Sequence, residues 1–452
     1  MDNILNELFE KEKTLSIYNE RIWGIPLWSC IKRKYRSKYL FIHAKVPPMS
    51  NHPKFYLWPL VRSFIVSFWH ILKLFICSEK KPNLFLGFMR LEQMNGLYMD
   101  KFIEPIILLS EVKDKYVYFE RGRSGIHISP RSIKNIVWTE FIDNFCTLMS
   151  CGLFPFFVLF NWKTYGNLID KINYLFPISL KERFYIYYIT TRFLLKALFL
   201  CLVLKRLGVK RLFIPAAVIH YQYIAACKLL KIPCYGITAG QTYTYSGEYV
   251  PEAYPDYFLT FGKSSLKDSL FGLPLGRMIN IGCAFKSFLK ERNVVKLKNT
   301  YLLLSEPEIT QKMVHTIVEL AKMYPEYTFH LRLHPLEVLN QCQGTMLSEF
   351  ANIALVDNII NSTIVCMDYE GVIAENTTVL YEAVSVGVKA ARLQYNGLQT
   401  IHFEDEPRDL FFYMKRAEDF SSFANEFDIS DANVDLFYST FDVKTFNTLL
   451  VR

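Results

Sequence analysis

Short apolar runs alternate with helix-length segments from about residue 208 to residue 394, and that alternation restricts the fold more than any other feature of the chain. Residues 210–215, 233–237, 257–262, 278–282, 300–305, 327–333 and 371–374 are nearly unbroken apolar stretches, the pattern of parallel strands covered on both faces. Between them, sets such as Met313, Val314, Ile317, Val318 and Ala321 recur on one helical face. Residues 352–356 and 363–367 read as further strands, and 83–88 and 116–119 as two more upstream. The expected fold is α/β with two Rossmann-like domains and additional hydrophobic helices in the N-terminal half. The first domain covers 81–285 with a hydrophobic helical insertion, and the second covers 299–420. Residues 1–80 read as a helical, membrane-facing region, and 421–452 as short helices packing back across the cleft.

The chain is 51% hydrophobic and 16% aromatic, with positive mean hydropathy. That is greasy for a cytosolic enzyme, yet too broken by polar stretches for a polytopic transporter. Membrane contact is therefore expected. Residues 145–162 are uncharged and long enough to cross a bilayer, while Gly152 and Pro155 weaken a continuous helix and favour a buried or monotopic one. Residues 55–77 contain Arg62, His70 and Lys73, and 193–204 contain Lys196, so neither reads as a span.

The formal charge of +9 suits an anionic lipid surface or nucleic acid. Lys32, Arg33, Lys34, Arg36 and Lys38 stand beside aromatic sequence, which fits a bilayer interface; Lys286, Lys290, Arg292, Lys296 and Lys298 read as solvated. No recognition motif accompanies either cluster, so no nucleic-acid partner is expected. Ten scattered cysteines read as reduced core residues of a cytoplasmic protein. Asp2, Glu7, Glu10 and Glu12 are foreign to a signal peptide, so none is expected.

Residues 301–387 hold the segments richest in chemistry. The run ending Leu331-Arg332-Leu333-His334-Pro335 stops at a proline, which places the His334 ring at the sheet edge rather than in a core. Glu375-Asn376-Thr377-Thr378 opens a helix, where free N–H groups and the dipole favour an anion and two hydroxyls add donors. Simple N-capping accounts for the same residues. Glu382, one turn on, suits ribose hydroxyls. In the first half, Gly240, Gln241, Thr242 and Glu248 lie in a hydroxyl-rich stretch after a strand, either binding a polyhydroxylated ligand or forming a plain polar loop. Glu120-Arg121-Gly122-Arg123 reads as an ordinary turn, or as a place where arginine meets phosphate or carboxylate.

The two alternating domains, His334-Pro335 after a strand, and the hydroxyl pair in Glu375-Asn376-Thr377-Thr378-Val379-Leu380-Tyr381-Glu382-Ala383 resemble bacterial GT-B glycosyltransferases of surface-polysaccharide (capsule and O-antigen) synthesis. The resemblance includes sialyltransferase-like groups with an HP motif and covers mainly residues 208–394. It implies that His334, Thr377 and Thr378 contact the phosphate of a nucleotide-sugar donor, with Glu382 nearby. It implies also a glycan or lipid-linked acceptor on the first domain, no further cofactor, and a peripheral place on the inner face of the cell membrane. Two departures stand out. Similar proteins carry a His-Gly pair where this chain has Ala239-Gly240, and their acidic-acidic-Gly base motif has no clear counterpart in the first domain; Asp368-Tyr369-Glu370-Gly371 lies in the second.

An inverting transfer still needs a base near the acceptor hydroxyl. Glu92 and Glu120 follow strands most closely, ahead of Asp100 and Glu248. The chain has no Asp-x-Asp pair for a metal-held donor, so metal-independent transfer is expected. A nucleotide-sugar epimerase, a polyol-phosphate transferase and a non-catalytic membrane-associated assembly protein are the alternatives on the same plan.

Overall fold

The computed structural model describes residues 2–451 apart from 45–56, 78, 89–90, 95, 123–124, 216–219, 239–252, 267–272, 290–293, 308, 336, 359 and 399–405. Two parallel sheets organise it. In the first, Asn83–Leu86 (β1), Tyr116–Glu120 (β2), Ile136–Trp138 (β3), Arg211–Pro215 (β4), Cys234–Ile237 (β5), Tyr257–Thr260 (β6) and Met278–Asn280 (β7) lie in the order β7-β6-β5-β4-β1-β2-β3. In the second, Thr300–Leu304 (β8), Thr328–Arg332 (β9), Ile353–Val356 (β10), Gly371–Ala374 (β11), Lys389–Leu393 (β12) and Phe412–Met414 (β13) lie in the order β10-β9-β8-β11-β12-β13. Every residue of β1, β2, β4, β5, β8 and β11 is buried, which is why these strands read as unbroken apolar runs.

The expected class, two Rossmann-like domains with added apolar helices, is the observed one. Both sheets reverse direction beside their first strand, at β1/β4 and at β8/β11, so the loops leaving those strands diverge and open a crevice. Two local readings differ. Residues 363–367 are not a strand: 363–366 belong to the helix Ser362–Cys366 and Met367 caps its end, because the Asn361 side chain accepts from the N–H groups of Thr363 (2.8 Å) and Ile364 (3.4 Å). The residues after β1, which read from their polar character as a loop, form an antiparallel hairpin, Leu91–Met94 with Leu97–Asp100.

The helices Leu57–Cys77, Glu140–Phe160 and Leu180–Leu207 pack on one another beside the first sheet. A Ser179–Glu182 capping box starts the last of them, and Gly208 at φ 65° ends it. All three are long and apolar enough to cross a membrane by length and composition, so restricting that property to residues 145–162 was too narrow. Pro155 sits inside an unbroken helix: it removes one backbone donor, and packing along the rest of the helix holds the line. Trp58, Trp69, Leu148, Phe156, Phe160, Phe184 and Leu202 on these helices are exposed.

The basic clusters match expectation at Arg33, Lys34, Lys296 and Lys298, which are exposed, and depart from it at three buried members. Lys32 and Arg36 are buried, not interfacial. Arg36 Nε donates to Glu12 Oε1 at 2.8 Å, and the Lys32 ammonium lies 4.8 Å from the ring centres of both Tyr221 and Tyr254. Burial, reinforced by the Arg36 charge, lowers the Lys32 pKa to about 7. Lys286 is buried too, 2.7 Å from Asp435. Of the cysteines, Cys146, Cys227, Cys234, Cys283 and Cys366 are buried, whereas Cys151 and Cys342 are exposed.

The chain finally returns to the first domain. Ser439 N donates to Phe261 O and Cys283 N to Ser439 O, each at 2.8 Å. Gly282, at φ 72°, permits this approach, since a Cβ there would lie 2.1 Å from the Thr440 carbonyl oxygen.

Candidate active site

At the second-domain crevice, β8, β9 and β11 end side by side. Ser305 follows β8, His334 follows β9, and Asn376, Thr377 and Thr378 follow β11. Glu337 ties the first two together: its Oε1 accepts from Ser305 Oγ (2.7 Å) and from Thr310, and its Oε2 accepts from the His334 N–H. The His334 side is exposed, as a proline-terminated strand end predicts. Asn376 is steadied from beneath by buried Arg392, whose Nη1 is 3.3 Å from its Oδ1. Thr378 occupies the N-cap position of Val379–Ser385 without a side-chain capping bond, and Thr377 Oγ1 is 3.4 Å from the Val379 N–H. Arg332, at the end of β9, is buried with its Nη1 unpaired among the described residues. Sequence reasoning missed both Arg332 and Glu337.

Across the cleft, the hairpin after β1 reaches the second domain. Glu92 Oε1 accepts from Asn361 Nδ2 at 2.7 Å. Lys101 is 3.1 Å from Glu382 Oε1, and the other Glu382 oxygen accepts from Thr363. Glu382 is thus engaged in joining the domains rather than standing open toward a ribose. Burial raises the pKa of Glu92, with the Asn361 bond and the Lys101 charge opposing.

Glu120 sits in a different setting. One of its oxygens meets His127 Nδ1 at 2.6 Å and the other accepts from Arg131. His127 Nε2 continues to Glu140 Oε1 at 2.8 Å, its ring stacks 3.7 Å from Trp138, and Arg131 reaches Glu104. Burial alone would raise Glu120, but His127 and Arg131 outweigh it and hold its pKa below the usual carboxylate range. Likewise burial would lower His127, but bonds to Glu120 and Glu140 leave it raised. Asp100 accepts from the Phe88 N–H (2.6 Å) and from Tyr118 Oη (3.0 Å), and is equally committed to structure.

The first-domain crevice is a cavity of about 210 Å³. Leu86 at the end of β1 and Gly87 after it, Arg121 after β2, and His220, Gln222 and Tyr223 after β4 line it, with Asp143, Arg192 and Lys196 from the apolar helices. Lys196 pairs with Asp143 at 2.6 Å and Arg121 lies 3.3 Å from the same carboxylate. Lys196 reads from sequence only as a charge interrupting an apolar run; its partner lies far away in the chain. Gly240, Gln241, Thr242 and Glu248 lie outside the described residues.

Two Rossmann-like domains with a crevice at each switch point, and a C-terminal segment returning to the first domain, constitute the GT-B fold. No protein-family model matches the sequence, and no curated protein matches it. Among solved structures, UDP-GlcNAc 2-epimerase from Methanocaldococcus jannaschii is similar with a TM-score of 0.50 and 12% identity, covering 82% of this chain and 99% of that one. UDP-GlcNAc 2-epimerase from Neisseria meningitidis bound to UDP-GlcNAc follows at 0.47 and 14%, covering 82% and 98%. The wall teichoic acid polymerase TagF gives 0.43 and 13%, covering 93% and 96%. At these identities the likeness is one of fold.

Proposed function

We propose that this chain is a glycosyltransferase moving a sugar from a nucleotide-sugar donor to a lipid-linked or growing surface glycan, independently of metal, at the inner surface of a membrane. The observation that carries this reading is the pair of crevices: one at each sheet's switch point, with exposed apolar helices bordering the first-domain one. A transferase needs two substrates brought together, and such helices suit an acceptor held at a lipid surface.

In this reading Thr377, Thr378 and the His334 ring hold the donor phosphates, and Glu337 positions the His334 loop. Glu92, with its raised pKa, is the better base, since both oxygens of Glu120 are already committed. In a direct displacement the acceptor oxygen bonds to the anomeric carbon and its proton passes to Glu92. The bond from that carbon to the phosphate oxygen breaks, and the nucleoside diphosphate leaves. Purified protein with a panel of nucleotide sugars tests this: nucleotide release should require a membrane or glycan acceptor.

The fold shared with the Methanocaldococcus epimerase supports a second reading, isomerisation of a nucleotide sugar. The same assay decides between them, because an epimerase changes the donor sugar with no acceptor present.

A further inference from the structure

The first-domain cavity carries more positive charge than its own carboxylate neutralises. Among the described residues, Arg121, Arg192 and Lys196 face a single acid, Asp143, which leaves two positive charges over, one of them on Arg121, whose side chain is largely exposed. Arg192 makes no hydrogen bond among the described residues, and Lys196 is 8% exposed. His220 adds no further charge near neutral pH, because burial, reinforced by Lys196, lowers its pKa to about 4. Uncompensated cations at a partly buried site favour an anion.

Beyond the cavity the helix that supplies Arg192 and Lys196 carries apolar and aromatic side chains. Tyr185, Ile189, Arg192 and Lys196 are spaced four, three and four residues apart on the helix Leu180–Leu207, so they share one face. Ile189 lines the cavity, while Tyr185 is exposed beside exposed Phe184. The Lys34 ammonium sits 3.4 Å over the Tyr185 ring, adding a cation beside it. From Tyr185 to Arg192 is roughly 10 Å along the helix axis, a fraction of the length of a lipid chain. A soluble anion would use the cations and leave this surface idle.

We propose that the cavity at the β1/β4 switch point binds the phosphate of a lipid-linked acceptor, with its hydrocarbon chain lying over Ile189, Tyr185 and Phe184. Calling this lipid the acceptor rests on the transferase reading; its binding does not.

The test is calorimetric titration of the full chain in detergent micelles with farnesyl phosphate, farnesol or inorganic phosphate, with no nucleotide sugar present. Farnesyl phosphate should bind at least tenfold more tightly than either of the others. Arg192→Gln should weaken it about tenfold with unchanged Tm, and Arg192→Lys should restore most of the affinity. Equal binding of farnesol would reduce the site to a greasy surface, and equal binding of inorganic phosphate would make it a free-anion site; either result overturns the proposal, as does an unaffected Arg192→Gln. If farnesyl phosphate binds as expected but no nucleotide sugar ever supports transfer, the transferase reading fails and this one stands.

Discussion

Both sheets arrange their first six strands in the same order, yet their carboxyl edges carry opposite chemistry. The first-domain edge is crowded with buried ionic pairs, Glu120–His127–Glu140 and Glu120–Arg131–Glu104. The second-domain edge offers Ser305, Asn376, Thr377 and Thr378, uncharged groups that donate and accept hydrogen bonds, beside the His334 ring and the Glu337 carboxylate that holds its loop. Topology decides where a ligand can sit, and the side chains decide which one. A fixed ionic network suits a rigid wall beside an acceptor; neutral donors suit a phosphate that arrives and leaves in every turnover.

The largest expected effect falls on the second edge. Replacing Thr377 and Thr378 by Ala together with His334→Ala should lower turnover by 10²-fold or more, since oxyanion-type donors are worth that much singly. Circular dichroism should show the fold unchanged. If transfer survives, the neutral edge is not the donor site and the contrast collapses.

Next come the two carboxylates of the first domain. Glu92→Gln should lower kcat by about 10²-fold with little change in donor affinity. Because Glu92 works ionised and its pKa is raised, wild-type activity should fall with decreasing pH above the ordinary carboxylate range, and Glu92→Gln should flatten that limb. Glu120→Gln should act instead through stability.

Stability measurements sharpen the same distinction. Arg131→Met strands Glu104 and Glu120 in a buried site and should cost about 3 kcal/mol, read as a lower Tm. His127 has a raised pKa in the folded chain, so its stabilising contribution is complete below its ordinary value of about 6.5 and is lost as pH rises through the raised one. Tm should therefore drop more steeply on the alkaline side in the wild type than in His127→Gln.

Smaller still is the link between the edges. Lys101→Met removes the Glu382 contact and should raise the KM for donor by a few-fold in steady-state kinetics, with kcat changed less. The weakest effect is expected on the apolar helices, where Phe184→Ser should reduce sedimentation with anionic vesicles by about threefold.

Most strands were legible because they are short, largely apolar runs, as in Thr300–Leu304 and Cys234–Ile237, whereas the three-residue edge strands Ile136–Trp138 and Phe412–Met414 are too short to show a pattern. Residues 363–367 misled because Thr, Ile and Val favour strands, while the deciding contact, the Asn361 cap, precedes the run. The Asn95-Gly96 dipeptide between apolar residues signals the hairpin that carries Glu92. Charged residues fared worst. Lys32 finds Tyr221 and Tyr254, and Lys196 finds Asp143, across separations that no local pattern encodes.

The returning C-terminal segment has a mechanical meaning. The backbone passes from the first domain to the second after Leu289, and comes back before Ser439 pairs with Phe261 and Cys283. A body fastened at two points swings about the line joining them and resists other rotations. Any opening of the cleft is thereby confined to a single angle, as in a book on its spine.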